Sequence, residues 1–278
     1  MIVHKKIFVQ KANGEREPFS ELKLARSLSR SGSSPKLTES IVRHIRDGLK
    51  DGMKTRDIYS RAIELLGAEK VPLAARYSLK EALMDMGPSG HPFEALVGEI
   101  MKTLGYQVSL RQTLKGRCVN HEVDVVARKG NRHIMVETKF HNSHGFKSDV
   151  KIPLYVKARF DDILQSSDRK QHIHEAWLVT NTKFSQDAIK YGRCNDMNLI
   201  GWDYPSSGSL QEIIEKSQLT PITSLKSLTT AQKRSLIRRD KVLCSDLLLN
   251  ETKWESMGIG TSDKSAVLAE AHAVCNIS

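Results

Sequence analysis

Cysteine is scarce in this sequence and is never clustered. The four cysteines, Cys118, Cys194, Cys244 and Cys275, are far apart and form no CxxC pair. Their spacing argues against a zinc knuckle or a disulfide framework and suits a reducing compartment. The first residues, MIVHKKIF, lack the long apolar core of a signal peptide, and no apolar run reaches the length of a membrane span. We therefore expect a cytoplasmic protein without a membrane partner.

Acidic residues are outnumbered by basic ones. The chain has 32 Asp and Glu against 43 Lys and Arg, which gives a formal net charge of +11 and a pI near 9.5. This balance favours a polyanionic partner, and nucleic acid is the first candidate, although many basic proteins bind none. The length of 278 residues, with 39% hydrophobic and 27% charged residues, fits an ordinary globular protein of one large or two to three small domains.

The segment from His121 to Phe140 contains the strongest functional signal. Two apolar runs, rich in β-branched residues, flank Gly130-Asn131, which is a hairpin signal. A two-residue turn there places Lys129 opposite Arg132 and, further down the strands, Asp124 opposite Glu137. Because side chains alternate along a strand, Lys139 should share the face of Glu137. The pattern therefore predicts two carboxylates and an ammonium on one sheet surface.

These groups suit a site for a hard divalent cation, Mg²⁺ or Mn²⁺, which prefers oxygen ligands. Asp124 and Glu137 are the candidate ligands, with the Thr138 carbonyl as a further one. Lys139 would orient a water and neutralise charge on a phosphate oxygen. The alternative is a solvated charged face, but the neighbouring Ile134, Met135 and Phe140 are apolar, and unpaired charge is costly in such surroundings.

The residues Asp124 and Glu137-Thr138-Lys139 resemble the D and ExK of the PD-(D/E)xK nucleases. Pro92-Phe93-Glu94, ahead of a helix, resembles the start of the Mrr-type restriction endonuclease branch. The resemblance extends from about His91 to Tyr204 and implies metal-dependent hydrolysis of DNA. The hydrophobic pattern predicts the same order of elements as this family has: helix, three strands, helix, strand, helix and strand. We therefore expect a mixed sheet covered by helices on both faces.

Glu94 lies in the first turn of the helix that Pro92 begins. One interpretation is compensation of the helix dipole, which is common and weak. The other is a third acid near the metal, as the resemblance implies. Both interpretations remain open at the level of sequence, and we include Glu94 among the candidate catalytic residues.

The first 88 residues form a separate unit, a small β-hairpin followed by a helical bundle. Ser20 and Thr55 are the expected N-caps of two of its helices, and Val71 to Met84 is another expected helix. The residues Val9-Gln10-Lys11-Ala12-Asn13-Gly14, with Gly52-Met53-Lys54-Thr55 and Ala74-Ala75-Arg76-Tyr77, resemble an ATP-cone domain, a regulatory nucleotide-binding module. By this resemblance, Lys11, Glu17, Lys23 and Thr55 are the candidate contacts of ATP or dATP. The chain departs from the family pattern at Ala12-Asn13, where Arg-Asp is usual, so one basic contact is missing. The alternative for Lys11 and Lys23 is two surface lysines.

Several other charged residues have an ordinary explanation. Four histidines, His121, His133, His141 and His144, surround the hairpin without the convergence that a zinc site needs, although His121 or His141 could contact phosphate. Lys147, Lys151, Lys157 and Arg159 lie on the next helix and could line a phosphate path. The alternative for these four is a solvated helix face.

The sequence pattern of the last segment, residues 206–278, predicts helices, among them Thr230 to Cys244. This segment also contains a cluster of basic residues. Met257-Gly258-Ile259-Gly260 weakly resembles half of a helix-hairpin-helix, whose amides can bind phosphate. We treat the segment as a candidate nucleic-acid-binding or packing module.

Taken together, the sequence predicts a multidomain α/β protein with three regions: an ATP cone (1–88), a PD-(D/E)xK nuclease domain (89–205) and a helical region (206–278). The first hypothesis is a metal-dependent endonuclease acting on DNA under nucleotide control. A non-cleaving, nucleotide-responsive DNA-binding regulator on the same fold is the alternative, and a nucleotide-binding interaction module is a third. Pairing of chains into a homo-oligomer is left open.

Overall fold

The computed structural model describes residues 6–11, 14–143, 145–168, 172–248, 254 and 259–275. It is a mixed α/β structure with a small hairpin and helices first, a central mixed sheet, and helices at the end, as predicted. The strands are β1 (Phe8–Gln10), β2 (Arg16–Pro18), β3 (Gln107–Lys115), β4 (Asn120–Lys129), β5 (Arg132–Lys139), β6 (Lys147–Ser148), β7 (Glu175–Thr180), β8 (Lys183–Phe184) and β9 (Asn198–Ile200). The helices are α1 (Glu21–Arg30), α2 (Pro35–Asp47), α3 (Thr55–Glu69), α4 (Val71–Tyr77), α5 (Leu79–Met84), α6 (His91–Thr103), α7 (Lys151–Leu164), α8 (Gln186–Cys194), α9 (Leu210–Lys216), α10 (Thr230–Ile237), α11 (Ser245–Leu248) and α12 (Thr261–Cys275).

The amino-terminal unit consists of the antiparallel pair β1 and β2 and of helices α1 to α5. Ser20 caps α1 as predicted, because its side chain accepts a hydrogen bond from the backbone N–H of Lys23. The expected cap at Thr55 is wrong: Thr55 is the first residue of α3, and Lys54 precedes it without a side-chain cap. The expected helix from Val71 to Met84 is two short helices, separated at Ser78.

The central sheet has the strand order β3-β4-β5-β7-β9. Strands β3, β4 and β5 are antiparallel, whereas β5, β7 and β9 are parallel. Helix α6 packs on one face, where Phe93 and Val97 meet Val136 in one core cluster. Helices α7 and α8 cover the other face, where Val156 and Met135 lie in a second cluster. The predicted mixed sheet with helices on both faces is therefore confirmed.

The hairpin register is the expected one, since Lys129 pairs with Arg132 across the turn. Gly130 has a φ of +56°, the left-handed conformation that favours glycine. The ladder between β4 and β5 ends at Val125 and Val136, one pair before Asp124 and Glu137.

Strict alternation fails at Asp124. Val125 belongs to the core under α6, but Val123, only two residues away, belongs to the core under α7 and α8. On the neighbouring strand Arg111 has a φ of +51°, which is uncommon for a residue with a Cβ. A local twist of β3 and β4 thus interrupts the alternation of side chains between the two faces of the sheet at Asp124.

The carboxyl-terminal region contains fewer helical residues than expected. The predicted helix from Thr230 to Cys244 ends at Ile237, and Asp240 has a φ of +55° in the turn that follows. Met257 and Gly258 of the helix-hairpin-helix candidate lie outside the described residues. No helix among the described residues is long and apolar enough to cross a membrane.

Candidate active site

Asp124 is positioned by the backbone of β5. Its Oδ2 accepts a hydrogen bond of 2.7 Å from the backbone N–H of Thr138 and one of 3.0 Å from the Thr138 hydroxyl. These bonds replace the direct cross-strand pairing with Glu137 that alternation predicts. They fix the carboxylate beside Thr138.

Glu137 is a buried acid with one partner. The residue is only 7% exposed, and its Oε2 lies 2.5 Å from the guanidinium of Arg159 on α7. Its Oε1 is buried and has no hydrogen-bond partner among the described residues. Burial, and next the charge of Asp124, raise the pKa of Glu137 to about 8 despite the opposing effect of Arg159.

Glu94 is also buried, which favours the second of the two interpretations above. It is 8% exposed, and its Oε2 is buried without a hydrogen-bond partner. Burial raises the pKa of Glu94, and the charge of Asp124 adds to this effect. A carboxylate that served only to compensate a helix dipole would face solvent. The charge of Asp124 raises the pKa of both glutamates, so the three acids lie in the same region of the domain.

Lys139 is the last residue of β5, two residues after Glu137. Its backbone carbonyl accepts a 2.7 Å hydrogen bond from the Thr180 hydroxyl, which ties the end of β5 to β7. The pKa of His141 is lowered by burial and then by the charge of Lys139, so the ammonium lies near that ring. Lys139 is half-buried.

The acids fit a divalent cation through their unpartnered oxygens. Buried carboxylate oxygens without a donor are unfavourable unless something positive binds them, and Glu94 and Glu137 each have one. Asp124, Glu137 and the Thr138 carbonyl are the groups that could hold such an ion. The described part of the chain contains no preformed set of three or more His, Cys, Asp or Glu side chains around a metal position. An ion here would retain several waters, as Mg²⁺ usually does.

Arg159 is the functional candidate whose role sequence reasoning missed. It was assigned to a phosphate path or a solvated face, but its side chain is only 11% exposed and contacts Glu137. It also donates to the backbone carbonyl of Glu122 and lies over the ring of Tyr155. Its position next to Phe160 and one turn after Val156, both buried, was the signal that this side of the helix faces inward.

The described histidines around the hairpin have local partners. His121 Nε2 lies 2.8 Å from Asp162 Oδ2, and His141 Nε2 lies 3.0 Å from the Ser148 hydroxyl. His133 contacts the backbone carbonyl of His172. His144 lies outside the described residues. The default explanation, separate satisfied histidines, thus holds for these three.

The candidate nucleotide contacts are brought together in the amino-terminal unit. Glu17 Oε2 lies 3.0 Å from Lys11 Nζ and 3.1 Å from Lys23 Nζ, and Lys11 first, then Lys23, lowers the pKa of Glu17. The backbone N–H of Gln10 donates to the carbonyl of Met53, which places the start of α3, with Thr55, beside β1. Ala12 and Asn13, where the chain departs from the family pattern, lie outside the described residues.

Three family descriptions match successive parts of the chain. Residues 7–83 match the ATP cone domain, residues 87–204 match Restriction endonuclease, and residues 221–275 match AF1548-like, C-terminal. The predicted fusion of an ATP cone with a restriction endonuclease-like domain is therefore confirmed.

Two relatives resemble most of the chain. An uncharacterized protein of Archaeoglobus fulgidus is 32% identical over 179 residues, which are 64% of this chain and 99% of that protein. A crystal structure of a protein of unknown function, AF1548, is 31% identical with a TM-score of 0.58 and covers 68% of this chain and 100% of that one. Neither description assigns an activity, so the chemistry must be argued from the residues.

Proposed function

The chain belongs to the AF1548-like proteins, and from that premise we propose that it is a metal-dependent DNA endonuclease whose activity responds to ATP or dATP. The observation that carries the proposal is that Glu94 and Glu137, both under the charge of Asp124, each have a buried carboxylate oxygen with no hydrogen-bond donor among the described residues. The match of residues 87–204 to Restriction endonuclease supports the same reaction class.

Each residue has a defined task in this proposal. Asp124 and Glu137 hold the cation together with the Thr138 carbonyl, and the hydrogen bonds from Thr138 keep Asp124 in place. A bound divalent cation supplies the positive charge that polarises the scissile phosphate. The Lys139 ammonium orients the attacking water and stabilises charge that develops on a phosphate oxygen. Glu94, with its raised pKa, accepts a proton from that water.

Regulation by nucleotide is assigned to the amino-terminal unit. Lys11 and Lys23 are point charges suited to phosphate oxygens, but both are paired with Glu17 in the absence of ligand. A nucleotide triphosphate must therefore compete with one carboxylate for two lysines. The match of residues 7–83 to the ATP cone domain supports ATP or dATP as the ligand.

One contact favours the second candidate, a non-cleaving DNA-binding regulator. Arg159 supplies a positive charge to Glu137 without any metal. A protein that had lost catalysis could keep this buried ion pair for stability alone. The two candidates differ in whether a divalent cation replaces the guanidinium as the partner of Glu137.

A plasmid-cleavage assay with Mg²⁺, EDTA and ATP in separate lanes tests the proposal. We expect cleavage with Mg²⁺, none with EDTA, and none by Asp124→Asn or Lys139→Ala. Asp124→Asn is preferable to alanine because the amide oxygen can still accept the hydrogen bond from Thr138. Asp187→Asn, an acid on α8 whose side chain is 77% exposed, is the matched control. Full activity of either site variant would defeat the assignment.

A second experiment tests the nucleotide site. Lys11→Gln should weaken ATP binding by about tenfold, the loss of roughly one charge-assisted hydrogen bond, and should leave the ATP lane equal to the lane without ATP. Lys36→Gln, an exposed lysine on α2, is the control. Unchanged ATP affinity of Lys11→Gln, measured by calorimetry, would remove the lysine from the site.

A further inference from the structure

A polar cavity of about 280 Å³ lies between the amino-terminal unit and the nuclease domain. Its walls come from α1, α3, α4 and α5 on one side and from β8, α9 and the segment after β9 on the other. None of the candidate nucleotide contacts, Lys11, Glu17, Lys23 and Thr55, lines it. It is therefore separate from the nucleotide site proposed above and from the acids of the nuclease domain.

Four cations line this cavity: Arg30, Arg76, Lys80 and Lys183. Lys183 forms an ion pair with Asp203 at the cavity wall. Two carboxylates, Asp203 and Glu81, also line the cavity, so its four cations outnumber its carboxylates by two. Glu215, which also lines a neighbouring part of the surface, affects Arg30 and Arg76 only at longer range and is itself bonded by Gln211.

The cations also act on one another. Lys80 Nζ lies 5.6 Å from the ring centroid of Trp202, which partly shields it from water. Burial lowers the pKa of Lys80, and the charge of Lys183 lowers it further, against the opposing effects of Asp203 and Glu81. Positive groups that repel one another are stabilised when an anion binds among them.

Two tyrosines, Tyr59 and Tyr77, form an aromatic part of the wall. The rings of Tyr59 and Tyr77 stack with centroids 5.1 Å apart. The Tyr59 hydroxyl donates to the Tyr77 carbonyl, and burial raises the pKa of both tyrosines. The tyrosines therefore add no negative charge. With four cations against the two carboxylates Glu81 and Asp203, the cavity keeps an excess of positive charge.

We propose that this cavity binds a small phosphate-bearing anion, either free pyrophosphate or the phosphates of a nucleotide, and that the ligand holds the amino-terminal unit against the nuclease domain. Guanidinium and ammonium groups are the usual protein partners of phosphate oxygens. The volume is at the low end for ligand sites, which suits an oligophosphate rather than a larger molecule. The proposal goes beyond nucleotide control by the ATP cone and does not depend on DNA cleavage.

Calorimetric titration of the full chain with sodium pyrophosphate tests the site. The variant Arg76→Gln/Lys80→Gln should bind at least about tenfold more weakly than the unsubstituted protein, because it loses two charge-assisted contacts. Lys36→Gln/Lys70→Gln removes the same charge from exposed positions of the same unit and should bind normally. The variant Lys11→Gln/Lys23→Gln and the cleavage-deficient Asp124→Asn should also retain binding, which separates this site from the two proposed earlier.

The outcomes are distinct. Absence of pyrophosphate binding by the unsubstituted protein, normal binding by the cavity variant, or complete loss in Lys11→Gln/Lys23→Gln would each overturn the proposal. If the double cavity variant has a lowered melting temperature, the single change Arg30→Gln, on an exposed helical residue, gives the same test.

Titrations of Lys11→Gln/Lys23→Gln with ATP and with adenosine identify the source of the phosphate. ATP bound more tightly than pyrophosphate indicates a nucleotide, and the reverse indicates a free oligophosphate; either result supports the site. Adenosine bound as tightly as ATP would show that phosphate is not recognised and would overturn it. Pyrophosphate should also raise the melting temperature of the unsubstituted protein but not that of the cavity variant.

Discussion

At Glu137, burial and charge act in opposite directions. Removal from water and the negative charge of Asp124 favour the protonated carboxyl, while the Arg159 guanidinium favours the ionised one. The result is a carboxyl with a pKa of about 8 and one oxygen without a donor. Such a group gains stabilisation when a cation binds and releases a proton as it does so.

The raised pKa of Glu137 predicts how stability depends on pH. Between about pH 4.5 and pH 8 the folded protein without metal holds a proton that the unfolded chain has lost, so the free energy of unfolding falls as pH rises. The loss should approach 1.4 kcal/mol per pH unit within this window. Urea unfolding in EDTA at several pH values measures it.

Glu137→Gln should remove most of that decline, whereas Glu69→Gln, at an exposed position, should leave it intact. A decline of equal size in Glu137→Gln and in the unsubstituted protein would place its origin elsewhere.

The ion pair of Arg159 with Glu137 predicts that the guanidinium and a metal ion compete for the Glu137 carboxylate. In Arg159→Gln the buried Glu137 loses its partner, so the protein without metal should be less stable by about 1–3 kcal/mol at pH 8.5. The same variant should bind Mn²⁺ several-fold more tightly, because one competitor for the carboxylate is gone. Arg159→Lys, which keeps the charge, is the control, and calorimetry gives both affinities. Weaker Mn²⁺ binding by Arg159→Gln would mean that Arg159 holds Glu137 in position for the metal.

At the scale of elements, close packing of helices on the sheet depends on glycine at particular positions. Gly192 of α8 faces Leu199 of β9, and a Cβ at this glycine would lie 2.5 Å from Leu199 Cδ1. Gly67 of α3 offers the opposite case, because a Cβ there would meet only the Ala74 Cβ at 3.6 Å. Substitution of alanine for glycine should therefore change the free energy of unfolding in opposite directions at Gly192 and Gly67.

Gly192→Ala should destabilise the protein by about 1–3 kcal/mol, since Leu199 must shift within a filled core. Gly67→Ala should stabilise it by about 0.4–1 kcal/mol, because alanine favours the helix and restricts the unfolded chain. Urea unfolding of both variants measures the difference. Equal effects would show that α8 and β9 are not packed as closely as described.

The elements of the nuclease domain were predictable because each carries a repeating pattern. The apolar positions of α6 and the turn at Gly130 gave the helix and the hairpin register, and β7 is a short apolar run. The carboxyl-terminal region lacks such repeats, and its turn at Asp240, with a left-handed φ, has no clear sequence signal. Helix α10 therefore ends earlier than its pattern suggests.

The residue types of the candidate site were predictable, but their contacts were not. Strict alternation along β4 misses the twist at Arg111 and Asp124, which requires a left-handed φ at an arginine. The pairing of Arg159 with Glu137 joins residues on different elements, and sequence spacing carries no direct record of it. Only the inward-facing position of Arg159 on its helix was available beforehand.

At the scale of the whole molecule, the net charge of +11 predicts salt-sensitive binding of DNA. Each phosphate that a lysine or arginine neutralises releases a counter-ion, so affinity should fall steeply between 50 and 200 mM salt, by about 10³-fold or more if six or more phosphates are contacted. Fluorescence anisotropy with labelled duplex DNA measures this slope.

Asp124→Asn, which removes a proposed metal ligand and not a cation, should show the same salt slope in EDTA. The absence of salt dependence would favour the interaction module over both DNA-binding candidates.

The three acids, Asp124, Glu137 and Glu94, also limit how far the thermal stability of the protein can be raised without loss of the candidate active site. Buried carboxyl groups with unpartnered oxygens reduce the stability of the fold that carries them, and their replacement by glutamine removes the charge that burial disfavours. A laboratory selection for survival at high temperature, applied without any demand for activity, would therefore enrich chains altered at Glu94, which among the described residues has no ion pair like that of Glu137 with Arg159. Heat-resistant descendants obtained in that way would retain the architecture and lose the chemistry.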